Sequence, residues 1–216
     1  ALVKLGRDPR ADTILARLAQ EGVSTRWAIR DGREPTGASV LVSSHDRNAA
    51  VFTFRGANTL LEPADLPADA FAVDLVYVST LSNKSADCFP AIIRAAKAKG
   101  AMVVANPGVR QLSSRSNDLR DVMALIDVLA INRAEAEVLV PPLAAKAGEG
   151  GSSLPGEDLP PLVKRGLTGG GHHMSLAAFF KAMMIDGPRH ILLTDGKGGA
   201  FLGMHDAVWH CPIART

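Results

Sequence analysis

The chain has 216 residues, 47% hydrophobic and 21% charged, a balance that excludes a disordered polyelectrolyte and is long enough to bury a core. Its 24 basic and 22 acidic residues are mixed along the sequence, with no basic stripe or aromatic interleaving, so nucleic acid is not an expected partner. No apolar run approaches a membrane span, no secretory leader is expected, and the isolated thiols Cys88 and Cys211 read as reduced, so the expected location is cytoplasmic.

Ile14, Leu15, Leu18 and Ala19 make a helical stripe over Asp12 to Glu21, closed by Gly22. Ser39 to Ser43 and Ala49 to Phe54 flank the polar turn Ser44 to Asn48 and predict an antiparallel hairpin with apolar groups on both faces. From Val73 the rhythm changes. Val73 to Val78, Ala101 to Ala105 and Val128 to Ile131 read as strands, and Asp87 to Lys99, Leu119 to Ile126 and Ala134 to Val140 as helices, which predicts a parallel sheet covered by helices. Pro141 to His173 is expected to be a long loop, with Gly169-Gly170-Gly171-His172-His173 a flexible stretch and not a metal site. Ser175 caps a predicted helix over Leu176 to Ile185, followed by a strand at His190 to Thr194. The chain starts at Ala1 without an initiator Met and stops at Thr216 just after an apparent strand, so both ends are expected to be cut.

Two segments carry chemistry. Ile126 to Glu135 is an apolar strand delivering Asn132 and Glu135, three apart, into a helix start, where α/β folds hold anions and their metals. The same spacing also describes an N-cap with its capping glutamate. Ile191 to Phe201 runs a buried strand into the Gly-rich turn Thr194-Asp195-Gly196-Lys197-Gly198-Gly199, equally readable as a hairpin. Lys197 reads as a phosphate contact or as a solvated turn lysine. The remaining histidines, His45, His190, His205 and His210, lie singly and suggest no metal set.

Taken in order, these segments resemble the ribokinase, or PfkB, family of carbohydrate and nucleoside kinases. Gly6-Arg7-Asp8 and the helix ending Glu21-Gly22-Val23 resemble the family's Gly-x-Asp segment and first helix. Thr36-Gly37-Ala38 resembles the opening of its lid hairpin, Gly56-Ala57-Asn58 its Gly-Ala-Asn turn, and Asn106-Pro107 its strand-end Asp/Asn-Pro-x-x-Arg segment. Asn132-x-x-Glu135 and Thr194-x-Gly196-x-x-Gly199 match its metal-phosphate and nucleotide motifs.

The resemblance implies a three-layer αβα fold with a mainly parallel central sheet, as one domain over 1–216 with a lid hairpin inserted at about 36–58. It implies ATP as cofactor, held by Asn132, Glu135, Thr194, Gly196, Lys197 and Gly199, and Mg²⁺ near Glu135 through water. Gly37, Ala38 and Asn106 are the implied substrate contacts, and a homodimer through the hairpin is the implied assembly. The implied activity is phosphorylation of a sugar hydroxyl, with a nucleoside kinase or a non-catalytic binding relative as alternatives. The family's catalytic Asp sits in a Gly-Ala-Gly-Asp sequence, which these 216 residues do not contain and which is expected after Thr216; its N-terminal sugar-binding Gly-Gly strands are also missing.

Overall fold

The structure, a computed structural model, describes residues 1–43, 49–114, 116–147, 159–185 and 187–214. The chain divides into two compact units, Ala1–Ala70 with Leu81–Ala91 and Phe71–Thr80 with Ile92–Thr216.

The first unit opens with β1 (Leu2–Gly6), α1 (Pro9–Gln20) and β2 (Trp27–Asp31), and β1 pairs in parallel with β2 from Leu2 opposite Trp27 to Gly6 opposite Asp31. The helix ends as its sequence demands. Gly22 takes φ +71, its N–H reaches Ala19 O at 3.0 Å, and Val23 N–H reaches Leu18 O at 2.8 Å, a Schellman closure. Its start lies earlier than the apolar stripe implies, because Asp8 caps it by accepting from Ala11 N–H at 3.0 Å with Pro9 following. Both strands escape the sequence patterns because each carries charge. Lys4 in β1 is buried, and its ammonium is satisfied only by distant residues, Asp65 at 2.6 Å and Asp31 at 3.4 Å.

The hairpin is present as β3 (Thr36–Ser43) and β4 (Ala49–Gly56), in register from Thr36 opposite Gly56 through Val40 opposite Phe52. Its connecting turn, with His45, lies outside the described residues. Cross-strand pairing puts Ala38, Val40 and Val42 on one face with Phe54, Phe52 and Ala50, while Ser39 and Thr53 share the other with a hydroxyl contact of 3.1 Å. The apolar side chains are bare: Val40, Leu41 and Phe52 are 62%, 64% and 66% exposed. Deeper in this unit, Cys88 is fully buried, its thiol donates to Leu61 O at 3.3 Å, and burial pushes its pKa up.

In the second unit the strands are β5 (Leu75–Val78), β6 (Met102–Ala105), β7 (Val128–Asn132), β8 (Leu167–Gly169), β9 (His172–Met174), β10 (His190–Thr194), β11 (Ala200–Gly203) and β12 (Val208–Cys211). The helices are α2 (Phe89–Ala98), which belongs here from Ile92 onward, α3 (Val109–Ser114), α4 (Ser116–Met123), α5 (Arg133–Ala147), α6 (Pro161–Arg165) and α7 (Leu176–Met184). One sheet runs β12-β11-β10-β7-β6-β5, parallel from β10 to β5 and antiparallel at β11 and β12. One phase of its strands is sealed. Val103, Leu129, Ile191 and Leu193 are at 0% exposure, as is Phe179 of α7. The other phase, Leu75, Tyr77, Met102, Leu192 and Trp209, keeps 37 to 64% exposure.

The expected loop over 141–173 is corrected in its described parts, residues 148–158 lying outside them. Helix α5 runs through Pro141 and Pro142 to Ala147. Proline forfeits a helical hydrogen bond, but Val140 at 0% and Ala144 at 4% exposure are core residues on either side of the pair. The Glu137 carbonyl freed by Pro141 lies against β8, so close that a Cβ on Gly169 would stand 1.9 Å from it. The glycine-histidine stretch is a hairpin rather than a flexible loop. Leu167, Thr168 and Gly169 pair with Met174, His173 and His172 around Gly170 and Gly171, whose φ values of +55 and +84 fit a two-residue turn. That signal was legible in the Gly-Gly pair.

Helix α3 also lies outside the sequence expectation, since Val109 to Ser114 has no apolar period, although Leu112 is buried at 3% exposure. The predicted helix from Asp87 instead begins with a 3-10 turn, Asn83–Cys88, leading into α2. Among the described residues no helix is long and apolar enough to cross a membrane.

Candidate active site

In a parallel sheet all carboxyl ends lie along one edge, and here three motifs meet that edge. Asn132 is the last residue of β7, Thr194 the last of β10, and the two are register partners. Asn106 follows β6 directly; its side-chain N–H donates to Ala130 O at 2.7 Å, its backbone N–H to Val78 O at 2.8 Å, and its carbonyl accepts from the Thr80 hydroxyl at 3.1 Å. Three residues separated by up to 88 positions are thus brought onto one sheet edge.

Asn132 and Glu135 form a reciprocal capping box. The Asn132 N–H donates to Glu135 Oε2 at 2.9 Å, and the Glu135 N–H to Asn132 Oδ1 at 2.9 Å. The capping alternative is therefore real geometry. It commits one oxygen of each side chain and buries Glu135 to 7% exposure at the N-terminus of α5. Among the described residues no group of three or more His, Cys, Asp or Glu is arranged to hold a metal ion, so the donor set fits a cation held through water and not a protein-only cage.

The Gly-rich turn is the tight connection between antiparallel β10 and β11, so its hairpin reading also holds. Gly196 (φ +51) and Gly199 (φ +86) take conformations that favour glycine. A Cβ on Gly196 would meet nothing within 4 Å, so that glycine is required by its backbone angle, whereas a Cβ on Gly199 would stand 2.3 Å from Cys211 O. Thr194, Gly196 and Lys197 are exposed. Asp195, between them, is not: its side chain is 8% exposed and pairs with Arg133 and Arg165. No local pattern announces this pair of arginines, because Arg165 comes from α6, 30 residues earlier.

Gly37 and Ala38 lie in the first unit, half-buried at the start of β3. Gly37 N–H donates to Asn58 Oδ1 at 2.9 Å, and a Cβ on Gly37 would stand 2.6 Å from Arg55 O, so the Gly-Ala-Asn turn grips this strand start. The Asp of the Gly-x-Asp segment is a structural clamp as well. Asp8 accepts from Thr36 N–H and caps α1, and the Thr36 N–H holds its carboxyl below the usual range against the opposing pull of desolvation. Since the folded value is depressed, the stability it contributes is present above the unfolded value of about 4 and is lost as pH falls through the folded one. Asp8→Asn is expected to lower the melting temperature at neutral pH and to flatten its acid dependence. Parallel melting curves for the two proteins from neutral pH down to acid would disprove this role.

This arrangement, a six-stranded mainly parallel sheet with helical layers and motif-bearing strand ends, defines the class: a three-layer α/β protein of ribokinase-like fold. The chain belongs to the pfkB family of carbohydrate kinases, whose model matches residues 1–216. It is 29% identical over 143 residues to a ribokinase from Staphylococcus aureus (strain COL), an alignment covering 64% of this chain and 44% of that protein. It superposes on a fructokinase from Xylella fastidiosa with a TM-score of 0.74 at 17% identity, covering 100% of this chain and 61% of that one. The same fructokinase with bound ATP gives 0.70, at 17% identity and 98% and 61% coverage. An adenosine kinase from Sinorhizobium meliloti gives 0.70 at 15% identity, with 100% and 58% coverage. The chain therefore spans about three fifths of the length of these solved structures.

Proposed function

We propose that the full-length protein is an ATP- and Mg²⁺-dependent kinase that phosphorylates a hydroxyl of a small sugar, working as one ribokinase-like domain with the β3–β4 hairpin as its lid. The observation that carries this reading is the pairing of Thr194 with Asn132, which brings the Thr-x-Gly-x-x-Gly and Asn-x-x-Glu motifs side by side at one sheet edge. Phosphoryl transfer needs positioning and charge neutralisation more than covalent chemistry, and backbone N–H groups at a helix start and a glycine turn supply the positioning. Thr194, Gly196 and Gly199 are assigned to the nucleotide, with Lys197 beside its phosphates. Asn132 and Glu135 are assigned to the metal-phosphate network, Glu135 through water. Mg²⁺, when bound, neutralises the charge that develops on the transferred group. Gly37, Ala38 and Asn106 are assigned to the sugar. The free thiols Cys88 and Cys211 suit a cytoplasmic setting.

ATP consumption by the full-length protein with ribose, fructose, 2-keto-3-deoxygluconate and adenosine tests the reading. Turnover with a sugar supports it, and silence across a broad panel from a folded, ATP-binding protein favours a non-catalytic relative. A nucleoside kinase is the second reading, favoured by the equal superposition on an adenosine kinase and on the ATP-bound fructokinase; preference for adenosine in the same panel would select it.

The hairpin motivates an assembly proposal. A two-stranded ribbon with a bare apolar face is marginal alone, and pairing Val40, Phe52 and Phe54 with the same face of a second copy would cover it. Phe52→Asp is expected to convert a homodimer to monomers in sedimentation at micromolar concentration. An unaltered sedimentation coefficient, or a monomeric parent, would sink the proposal.

A further inference from the structure

Asp195 replaces a residue that is often apolar in the motif it interrupts, and its surroundings account for the change. Its carboxylate is 8% exposed and is shared by two guanidinium groups: Arg133 Nη1 lies 3.3 Å from Oδ1, and Arg165 Nη2 lies 3.2 Å from Oδ1 and 3.1 Å from Oδ2. The carboxylate is folded over the turn, so that a Cβ on Gly198 would stand 2.5 Å from Oδ2. His210 secures the other side, donating from Nε2 to Gly198 O at 2.8 Å while its ring stacks on Phe201 with centroids 4.7 Å apart. Arg165 is fixed at its backbone as well, its carbonyl accepting from His173 Nε2 at 2.8 Å.

One arginine would neutralise Asp195; the second is surplus. Arg133, Arg165 and Lys197 line a cleft of about 730 Å³ together with Asp195, three cations against one carboxylate, or a formal +2, with Pro160 and Ile213 among its apolar walls. Two guanidinium groups held against one carboxylate repel each other, and an anion between them relieves that repulsion. Both arginines are partly exposed, Arg133 at 44% and Arg165 at 48%, so the ion pairs by themselves add little stability and both heads remain open to a ligand.

We infer that this cleft takes phosphate oxygens of the nucleoside triphosphate at the Gly-rich turn, with Arg133, Arg165 and Lys197 as its cations and Asp195 as the positioning residue that holds the two guanidinium groups on its wall. The inference rests on the kinase reading above and adds to it a specific set of phosphate contacts.

Calorimetric titration of the full-length protein with ATP, adenosine and inorganic phosphate separates the possibilities. Arg165→Gln and, independently, the exposed turn variant Lys197→Gln are each expected to weaken ATP by about fivefold to tenfold, the scale of a partly screened charge-assisted contact. Adenosine affinity should stay unchanged, the ATP affinity of each variant should fall less steeply with salt, and Arg165→Lys should recover part of the loss. Asp195→Asn should weaken ATP with the same insensitivity of adenosine. Unchanged ATP affinity in both charge variants overturns the inference and leaves the kinase reading intact. Parallel loss of ATP and adenosine overturns it too, since that pattern means the network only braces the turn. Inorganic phosphate binding as tightly as ATP, and lost in Arg165→Gln, overturns the nucleotide assignment in favour of free phosphate. A wild-type protein that binds no nucleotide overturns the inference and the kinase reading together.

Discussion

The 216-residue chain assayed by itself is expected to transfer no measurable phosphoryl group from ATP to any acceptor, while the full-length protein turns over. The chain contains no Gly-Ala-Gly-Asp sequence, and the carboxylates at the strand ends are engaged elsewhere. Glu135 accepts the Asn132 N–H from within a buried capping box, and Asp195 is shared by Arg133 and Arg165, so neither is presented to an acceptor hydroxyl. A positioned base contributes about a hundredfold to ten-thousandfold and anion-stabilising donors contribute about a hundredfold or more again, so lacking both removes useful catalysis. The exposed strand phase carrying Leu75, Tyr77 and Trp209 makes the isolated chain prone to association as well, so the comparison needs a folded sample verified by its melting transition. Turnover by the purified 216-residue chain would overturn the site assignment.

Glu135→Gln is expected to lower kcat of the full-length protein by roughly tenfold to a hundredfold and to raise the Mg²⁺ concentration needed for half-maximal rate, the scale found when an outer-sphere metal partner is lost. The melting temperature should barely move. Glutamine keeps a side-chain oxygen for the Asn132 N–H, and a capping box accepts Gln in place of Glu. That separation makes the substitution informative: a structural capping role is preserved while the charge is removed. Asn132→Ala, by contrast, deletes the cap on Glu135 N–H and should cost about 1 kcal/mol of stability besides activity. If Glu135→Gln shows wild-type kinetics at limiting Mg²⁺, Glu135 is a capping residue and nothing more.

The legibility of the molecule follows from how local each signal is. Strands β7 and β10 were readable because their apolar runs are continuous, and α1 and α7 because Gly22 and Ser175 punctuate them; Ser175 accepts from Ala178 N–H at 3.2 Å as a cap should. The β8–β9 hairpin was readable in its Gly170-Gly171 pair but was obscured by the surrounding prolines and glycines. Strands β1 and β2 were not readable, because the charge of Lys4 breaks the pattern and the carboxylate nearest its ammonium, Asp65, lies 61 positions away. Helix α5 passing through Pro141-Pro142 was not readable either, since local propensity predicts a stop there and only the burial of Val140 and Ala144 overrides it.

By itself, then, the sequence determined the α/β class, the family, and the identity of the strand-end motifs, because motif spacing and apolar period are local quantities carried by consecutive residues. Tertiary structure alone decided three things: that Asn106, Asn132 and Thr194 share one sheet edge, that Asn132 and Glu135 cap each other at 2.9 Å, and that Asp195 lies between Arg133 and Arg165. The sheet-edge alignment and the arginine pair depend on strand register and on helices that return from distant parts of the chain. The capping box, although its residues are only three apart, needs the strand to end and the helix to begin at Asn132, and β7 is held in that position by its hydrogen bonds to β6 and β10.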